Sequence, residues 1–291
     1  MFPGFTIQLE STATVRFLTL VFMNLKSFGR AVLAGVIAAR VGTALASAQP
    51  VPAAALDLPP PASLTEVWEP VPTVISAPAN RPPSDAIVLF DGTSLDAWEP
   101  VRKGGHSWKI EDDAMVIVPT KAPAQPFDQR TKRAFGDIQL HLEFRTPAKV
   151  EGKGQGRGNS GIFFMGLYEL QVLDSHENRT YSNGQVGAVY KQHLPLVNAS
   201  RPPGEWQSYD VVFIAPRFAA DGRLLAPARL TAFHNGVLVQ YHVAIKGPTS
   251  HRGTPPYAAH APKLPLVLQD HRNPVAFRNI WVRELALPDT P

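Results

Sequence analysis

Asn159, Glu169, Gln171 and Asp174 fall within GNSGIFFMGLYELQVLDS, residues 158–175, a strongly hydrophobic neighbourhood of the chain. A carboxylate buried in such surroundings must find a partner or hold its proton beyond the usual range, so it is a candidate acid or base. In YELQVLD, residues 168–174, strand alternation puts Tyr168, Leu170 and Val172 on one face and Glu169 and Gln171 on the other. Asp174 sits at the strand end, where parity gives no direction. In IQLHLEFR, residues 138–145, Ile138, Leu140, Leu142 and Phe144 point to the core, while Gln139, His141, Glu143 and Arg145 point away. Glu143 and Glu169 are therefore expected on a polar sheet face, and a concave face of this kind suits a sugar. Carboxylates and amides bond vicinal hydroxyls, while aromatic rings stack on the apolar face of a pyranose. The plainer reading is a solvated outer face of an antiparallel sheet. It serves Glu143 equally well, and Glu169 with Gln171 less well, because the neighbouring IFFMG run is apolar on both faces.

A second constellation lies in LVLQDHRNPVAFRNIWVREL, residues 266–285. His271 beside Asp270 reads as an oriented general base or a metal ligand, or equally as a turn histidine next to a capping aspartate. Arg278 is a candidate to clamp a carboxylate or hold an oxyanion, with structural pairing to Glu169 or Asp174 as its plainer role. Other chemistries lack their motifs. GRGNSG has neither the spacing nor the following helix of a phosphate cradle. GNSG lacks the strand–turn–helix setting of a serine nucleophile. The 9 histidines show no HExxH spacing, so any metal site must be assembled from separate strands. With 0 cysteines, thiolate catalysis and a disulfide framework are both excluded. The net charge of +4 is scattered, without the dense basic stripe that nucleic-acid binding needs.

The elements that must position these residues are short strands. AIVLFDG, SWKIEDDAMVIV, IQLHLEFR, SGIFFMG, YELQVLD, SYDVVFIAP, ARLTAFHNGVLVQYH, LPLVLQD and FRNIWVREL are β-rich runs bounded by Gly, Pro, Asn and Asp. HNGV, residues 234–237, carries the Asn-Gly hairpin signal. No stretch repeats apolar residues at helical spacing, so the chain reads as an all-β sandwich or jelly roll. Ahead of it, residues 1–48 read as a signal-peptide region. MNLKSFGRAVLAGVIAARVGTALASA has a basic start, an apolar run and an Ala-Ser-Ala end, with Met23 as a possible true initiator. Arg40 within the run argues against a membrane span. Residues 49–84 form a proline-rich linker, in which VWEPVPTVI is apolar enough to lie as an arm against the domain that follows. The domain itself is expected over residues 85–288, and the protein is expected to be exported to the periplasm or secreted by a bacterium, with no transmembrane anchor and no obligate protein partner.

IVLFDGTSLDAW, FGDIQLHLEFR, GRGNSGIFFMGLYELQVLDS, NGQVGAVY, PLVNASRPPGEWQSYDVVF, ARLTAFHNGVLVQ and LQDHRNPVAFRNIWVREL together resemble the 3-keto-disaccharide hydrolase family. Seven motifs in order, from about Asp85 to Leu285, carry that resemblance. It implies a concanavalin A-like jelly roll of two antiparallel sheets, acting on glycosides whose C3 hydroxyl has been oxidised to a ketone. The ketone acidifies the C2 hydrogen, so a base can remove it and the glycosidic oxygen can leave C1; water then adds to the enone. This route needs a base, an acid and a donor for the enolate oxygen. It needs no carboxylate nucleophile, unlike the two-carboxylate glycosidases. On this reading Glu169 and His271 are the acid/base pair, with Glu143 as the alternative base. Asn159, Gln171, Asp174, Asp270 and Arg278 hold substrate or stabilise the enolate, and a divalent cation held by several of these groups would explain them as well. The chain departs from the family pattern at Arg272, where Gly usually follows QDH, and at Ala114, where an Asp-Gly-Leu-like turn is usual.

Two other readings share the architecture. A non-catalytic carbohydrate-binding module would rely on exposed aromatics more than on buried acids. A laminarinase-like glycosidase would place two carboxylates at two-residue spacing on one strand, where this chain has Glu169 followed by Gln171.

Overall fold

The computed structural model describes residues 62–79, 81–105, 108–120 and 127–287. The expected signal region and the first part of the linker lie outside the described residues. The chain divides into two units, Met1–Pro70 and Val71–Pro291. In the described part of the first, a 3-10 turn at Ala62–Leu64 is followed by chain that is neither helix nor strand, on which Trp68 is exposed. In the second, Val71 and Val74 are also exposed and Ile75 is half-buried.

Fifteen strands follow among the described residues. In chain order they are β1 Ile87–Phe90, β2 Trp98–Pro100, β3 Lys109–Glu111, β4 Ala114–Val116 and β5 Gln129–Phe135. Next come β6 Ile138–Arg145, β7 Ser160–Phe164, β8 Tyr168–Val172, β9 Gln207–Ile214 and β10 Arg217–Phe218. The last are β11 Leu224–Ala226, β12 Arg229–His234, β13 Val237–Ala244, β14 Leu264–Leu268 and β15 Ala276–Glu284. An eight-stranded sheet runs β13-β12-β9-β6-β15-β4-β3, with β1 also paired to β15. A five-stranded sheet runs β2-β5-β14-β7-β8, and β10 pairs with β11 separately. All pairings are antiparallel. The fold is the all-β jelly-roll sandwich that the alternation predicts.

β6 follows that alternation residue by residue: Ile138, Leu140, Leu142 and Phe144 are buried, and the residues between them are only partly covered. The Asn235-Gly236 pair turns β12 into β13 with both residues at positive φ, where such a turn places them. Asp112 and Asp113 do the same between β3 and β4, so Ala114 is the buried first residue of a strand rather than part of the turn. The two sheets close on an apolar core in which Phe164 of β7 stacks on Phe213 of β9 at 4.7 Å. One buried hydrogen bond crosses that core, from the Tyr209 hydroxyl of β9 to the backbone carbonyl of Gln171 on β8, at 2.7 Å. It ties the strand carrying Glu169 to the opposite sheet and is worth about 1 kcal/mol net. No helix among the described residues is long and apolar enough to cross a membrane.

Candidate active site

β8 is buried along its whole length, for two different reasons. Tyr168, Leu170 and Val172 face the core. Glu169 and Gln171 face away from it, yet are covered by chain that wraps the sheet edge. The segment after the 3-10 turn Ser182–Gly184 runs beside β8 almost as a further strand. Gln171 donates its N–H to Ala188, Gly187 donates to Gln171, and Tyr190 donates to the Glu169 carbonyl, at 2.9, 3.1 and 3.1 Å. From the other side, Thr249 accepts the N–H of Glu169 at its hydroxyl, at 2.9 Å. The result is a cleft of about 320 Å³. Its floor is Glu169, Gln171, Asn159 and Phe163; its walls are Tyr190, Thr249 and His251, with Gln269 and His271 closing the end beyond β14.

Glu169 is 4% exposed. Burial is the main reason its pKa is pushed up to about 8, and the nearby Asp128 charge adds to it. The carboxyl therefore keeps its proton at neutral pH. Gly161, paired with Gln171 across β7 and β8, leaves the space the carboxyl occupies.

Gln171 is held by a chain of amides. Its Nε2 donates to Gln155 Oε1 at 3.1 Å and to Asn159 Oδ1 at 3.3 Å, while Asn159 Nδ2 donates to the Gln155 carbonyl at 2.6 Å. Gln171 Oε1 accepts no hydrogen bond from the described residues. A buried acceptor of this kind is an energetic cost until a donor such as a sugar hydroxyl reaches it.

His271 stands at the mouth, and desolvation there lowers its pKa, so the imidazole is neutral at pH 7. Its neighbours fix the backbone on both sides. Asp270 Oδ1 accepts the N–H of Arg272 at 2.7 Å and Oδ2 accepts that of Phe127 at 2.9 Å. Asp128 accepts the N–H of Asp270 at 2.8 Å. Arg272 has φ of 63°, the left-handed conformation that glycine adopts freely.

Of the eight residues singled out by sequence, Asn159, Glu169, Gln171 and His271 meet in this cleft. Asp270 acts beside it, through the backbone. Asp174 turns away: its Oδ2 accepts from Arg157 Nε at 2.5 Å and its Oδ1 from the N–H of His176. Glu143 and Arg278 belong to another place altogether, the outer face of the eight-stranded sheet. There Arg278 Nε donates to Glu143 Oε2 at 2.7 Å, Asn279 donates to Oε1, and the guanidinium lies 4.1 Å from the Trp206 ring centroid. Parity places Glu143 on an outer face correctly, but it cannot say that β6 and β8 lie in different sheets. Arg278 pairs with Glu143, not with Glu169 or Asp174. Among the described residues no group of three or more His, Asp or Glu side chains is placed to hold a metal ion.

Sequence reasoning missed Phe163, Tyr190, Thr249, His251 and Asp128. Tyr190 and His251 come from loops, where no periodicity marks an inward residue. Phe163 was hidden inside a run that is apolar on both faces.

Residues 85–283 match the 3-keto-alpha-glucoside-1,2-lyase-like domain family. The chain is similar to a candidate glycosyl hydrolase of known structure from Parabacteroides distasonis, at 43% identity and a TM-score of 0.72, over 77% of this chain and 96% of that one. A second candidate glycosyl hydrolase from the same organism is more distant, at 19% identity and a TM-score of 0.49, over 69% of this chain and 94% of that one. No curated protein matches the sequence. The chain belongs to the 3-keto-alpha-glucoside-1,2-lyase-like domain family.

Proposed function

We propose that this protein cleaves the glycosidic bond of 3-keto-glycosides by removing the C2 proton, expelling the leaving oxygen and adding water. The observation that carries the reading is a pair of opposite protonation states in one cleft: Glu169 keeps its proton at neutral pH and His271 lacks one. Environments that separate two titrating groups in this way distinguish an acid from a base.

His271 takes the C2 proton, and the C–H electron pair becomes a C2=C3 double bond as negative charge moves to the C3 oxygen. That charge then returns to re-form the ketone, a C1=C2 double bond forms, and the C1–O bond breaks. Glu169 gives its proton to the leaving oxygen. In the second half, water attacks C1 and yields a proton to the Glu169 carboxylate, while protonated His271 returns a proton to C2. The enzyme ends as it began, and the net change is hydrolysis; release before hydration would make the same site a lyase. Gln171 Oε1 and Asn159 supply polar contacts for ring hydroxyls, and Phe163 offers an apolar surface to the pyranose. We propose export as its setting, on the signal-like features of residues 23–48.

The test is a matched pair of sugars: 3-keto-lactose or 3-keto-trehalose against the unoxidised disaccharide, with reducing-sugar release as readout. Cleavage of the oxidised sugar alone is expected. Cleavage of the unoxidised sugar alone would sink the reading, and binding of either without turnover would favour a carbohydrate-binding module.

A further inference from the structure

Removal of the C2 proton places negative charge on the C3 oxygen, and such steps depend on a donor preorganised at that oxygen. None of the described residues lining the cleft is Lys or Arg. Arg278, the cation that sequence suggested for the task, is committed to Glu143 on the other sheet.

We propose that the Tyr190 hydroxyl is this donor, with Tyr181 and Lys191 as the positioning residues that hold and polarise it. The inference rests on the catalytic reading above. Tyr190 lines the cleft, and its backbone N–H is bonded to the carbonyl of Glu169, so its location is tied to that of the acid. Val189, the residue before it, bridges to Leu170 of β8. The Tyr190 hydroxyl oxygen lies 2.6 Å from that of Tyr181. A phenol has one proton to donate. When Tyr181 donates to Tyr190, the Tyr190 proton is free to point into the cleft, and the first bond strengthens the second by polarisation. The Lys191 ammonium lies 4.4 Å from the Tyr181 ring centroid and 5.8 Å from that of Tyr190. It supplies, through the two rings, the positive charge that the cleft lining lacks.

Burial above all, with the nearby Glu169 charge, pushes the Tyr190 pKa up, so the group donates a hydrogen bond throughout and transfers no proton. Gln269 and His251 also line the cleft, but neither side chain has a hydrogen-bonded support among the described residues. The device is therefore two tyrosines and a lysine in place of an arginine.

The experiment follows two rates on one 3-keto-glucoside: exchange of the C2 hydrogen with deuterium oxide by NMR, and glycoside cleavage. Tyr190→Phe is expected to slow both by about a hundredfold or more, with KM little changed. Tyr181→Phe, at an exposed ring, is expected to slow both by about tenfold. It gives the same readout if Tyr190→Phe does not fold. Exchange within threefold of wild type in either variant would overturn the proposal. So would a Tyr190→Phe enzyme that exchanges normally but fails to cleave, since the tyrosine would then serve the leaving group. A wild-type protein that neither exchanges nor cleaves any 3-keto sugar would overturn the catalytic reading itself, and this inference with it.

Discussion

Gly161 of β7 lies against the carboxyl of Glu169 on β8, so close that a Cβ at position 161 would stand 2.6 Å from Oε1. The same Cβ would meet the Phe163 ring at 3.1 Å, so both the carboxyl and the apolar floor of the cleft depend on this absence. Gly161→Ala is expected to displace the carboxyl and reduce turnover at least tenfold with modest loss of stability, about 1 kcal/mol. Steady-state kinetics beside a urea titration checks both halves. Unchanged turnover would mean that the position of Glu169 does not matter.

The pH dependence of cleavage follows from the two groups. On the proposed mechanism Glu169 loses, above about pH 8, the proton that the leaving oxygen requires, so the rate is expected to fall there. On the acid side it falls once His271 is protonated, and the lowered pKa puts that limb below the ordinary histidine range. A rate profile in kcat/KM that rises steadily through pH 9 contradicts the assignment of Glu169 as acid.

Glu169 also carries a stability cost. Its folded pKa of about 8 exceeds the usual 4.5, so across that window the native state holds a proton that the unfolded chain has released. Stability is lost as pH rises through the window. Glu169→Gln, which stays neutral, is expected to be more stable than wild type by on the order of 4 kcal/mol at pH 8, and nearly equal to it at pH 4.5. The same variant should lose a hundredfold or more in rate. Urea midpoints at the two pH values give the comparison; equal midpoints at pH 8 would place the carboxyl in a far more polar setting than the cleft provides.

A second buried group pulls the other way. His234 is fully buried, its Nε2 lies 2.9 Å from Gln207 Oε1, and its Nδ1 has no partner among the described residues. Burial lowers its pKa from 6.5 to about 4. Between those values the unfolded chain binds a proton that the native state refuses, so stability falls as pH drops from 6.5 to 4. The loss is on the order of 3 kcal/mol in all. Across pH 4.5–6.5 this slope opposes that of Glu169, so His234→Gln is expected to leave a protein whose urea midpoint rises as pH falls through that range, less the part that His271 offsets; a midpoint that still falls would contradict the assignment.

Glu143 provides the control. Because its carboxylate is spent on Arg278 and Asn279 on the far sheet, Glu143→Gln is expected to cleave within about threefold of wild type. Its stability change should stay within about 1 kcal/mol, as for other partly exposed ion pairs. A large loss of rate would bring that second face into the reaction.

The architecture was legible because each strand writes its own alternation: the parity of Ile138 to Arg145 and the Asn235-Gly236 turn both read directly into structure. Parity also showed that Glu169 and Gln171 share a face. What it lacked was the assignment of strands to sheets, which depends on contacts between distant segments. Glu143 and Glu169 carry the same local signature and end on opposite sides of the molecule. Asp174 looked like a rim residue because Arg157, its partner, is fixed only when the loop before β7 folds back. Tyr190 reaches the cleft through backbone bonds to β8 that no strand pattern announces.

The central claim is abstraction of the C2 proton, and deuterium uptake reads it directly. A 3-keto-disaccharide is cleaved in deuterium oxide and the released 3-keto sugar is examined by NMR at the earliest time points, beside an enzyme-free control for spontaneous exchange. The account predicts deuterium at C2 of the product well above that control, because the base at the cleft mouth returns a solvent-derived deuteron. Product carrying only protium at C2, released at the full rate, would contradict it.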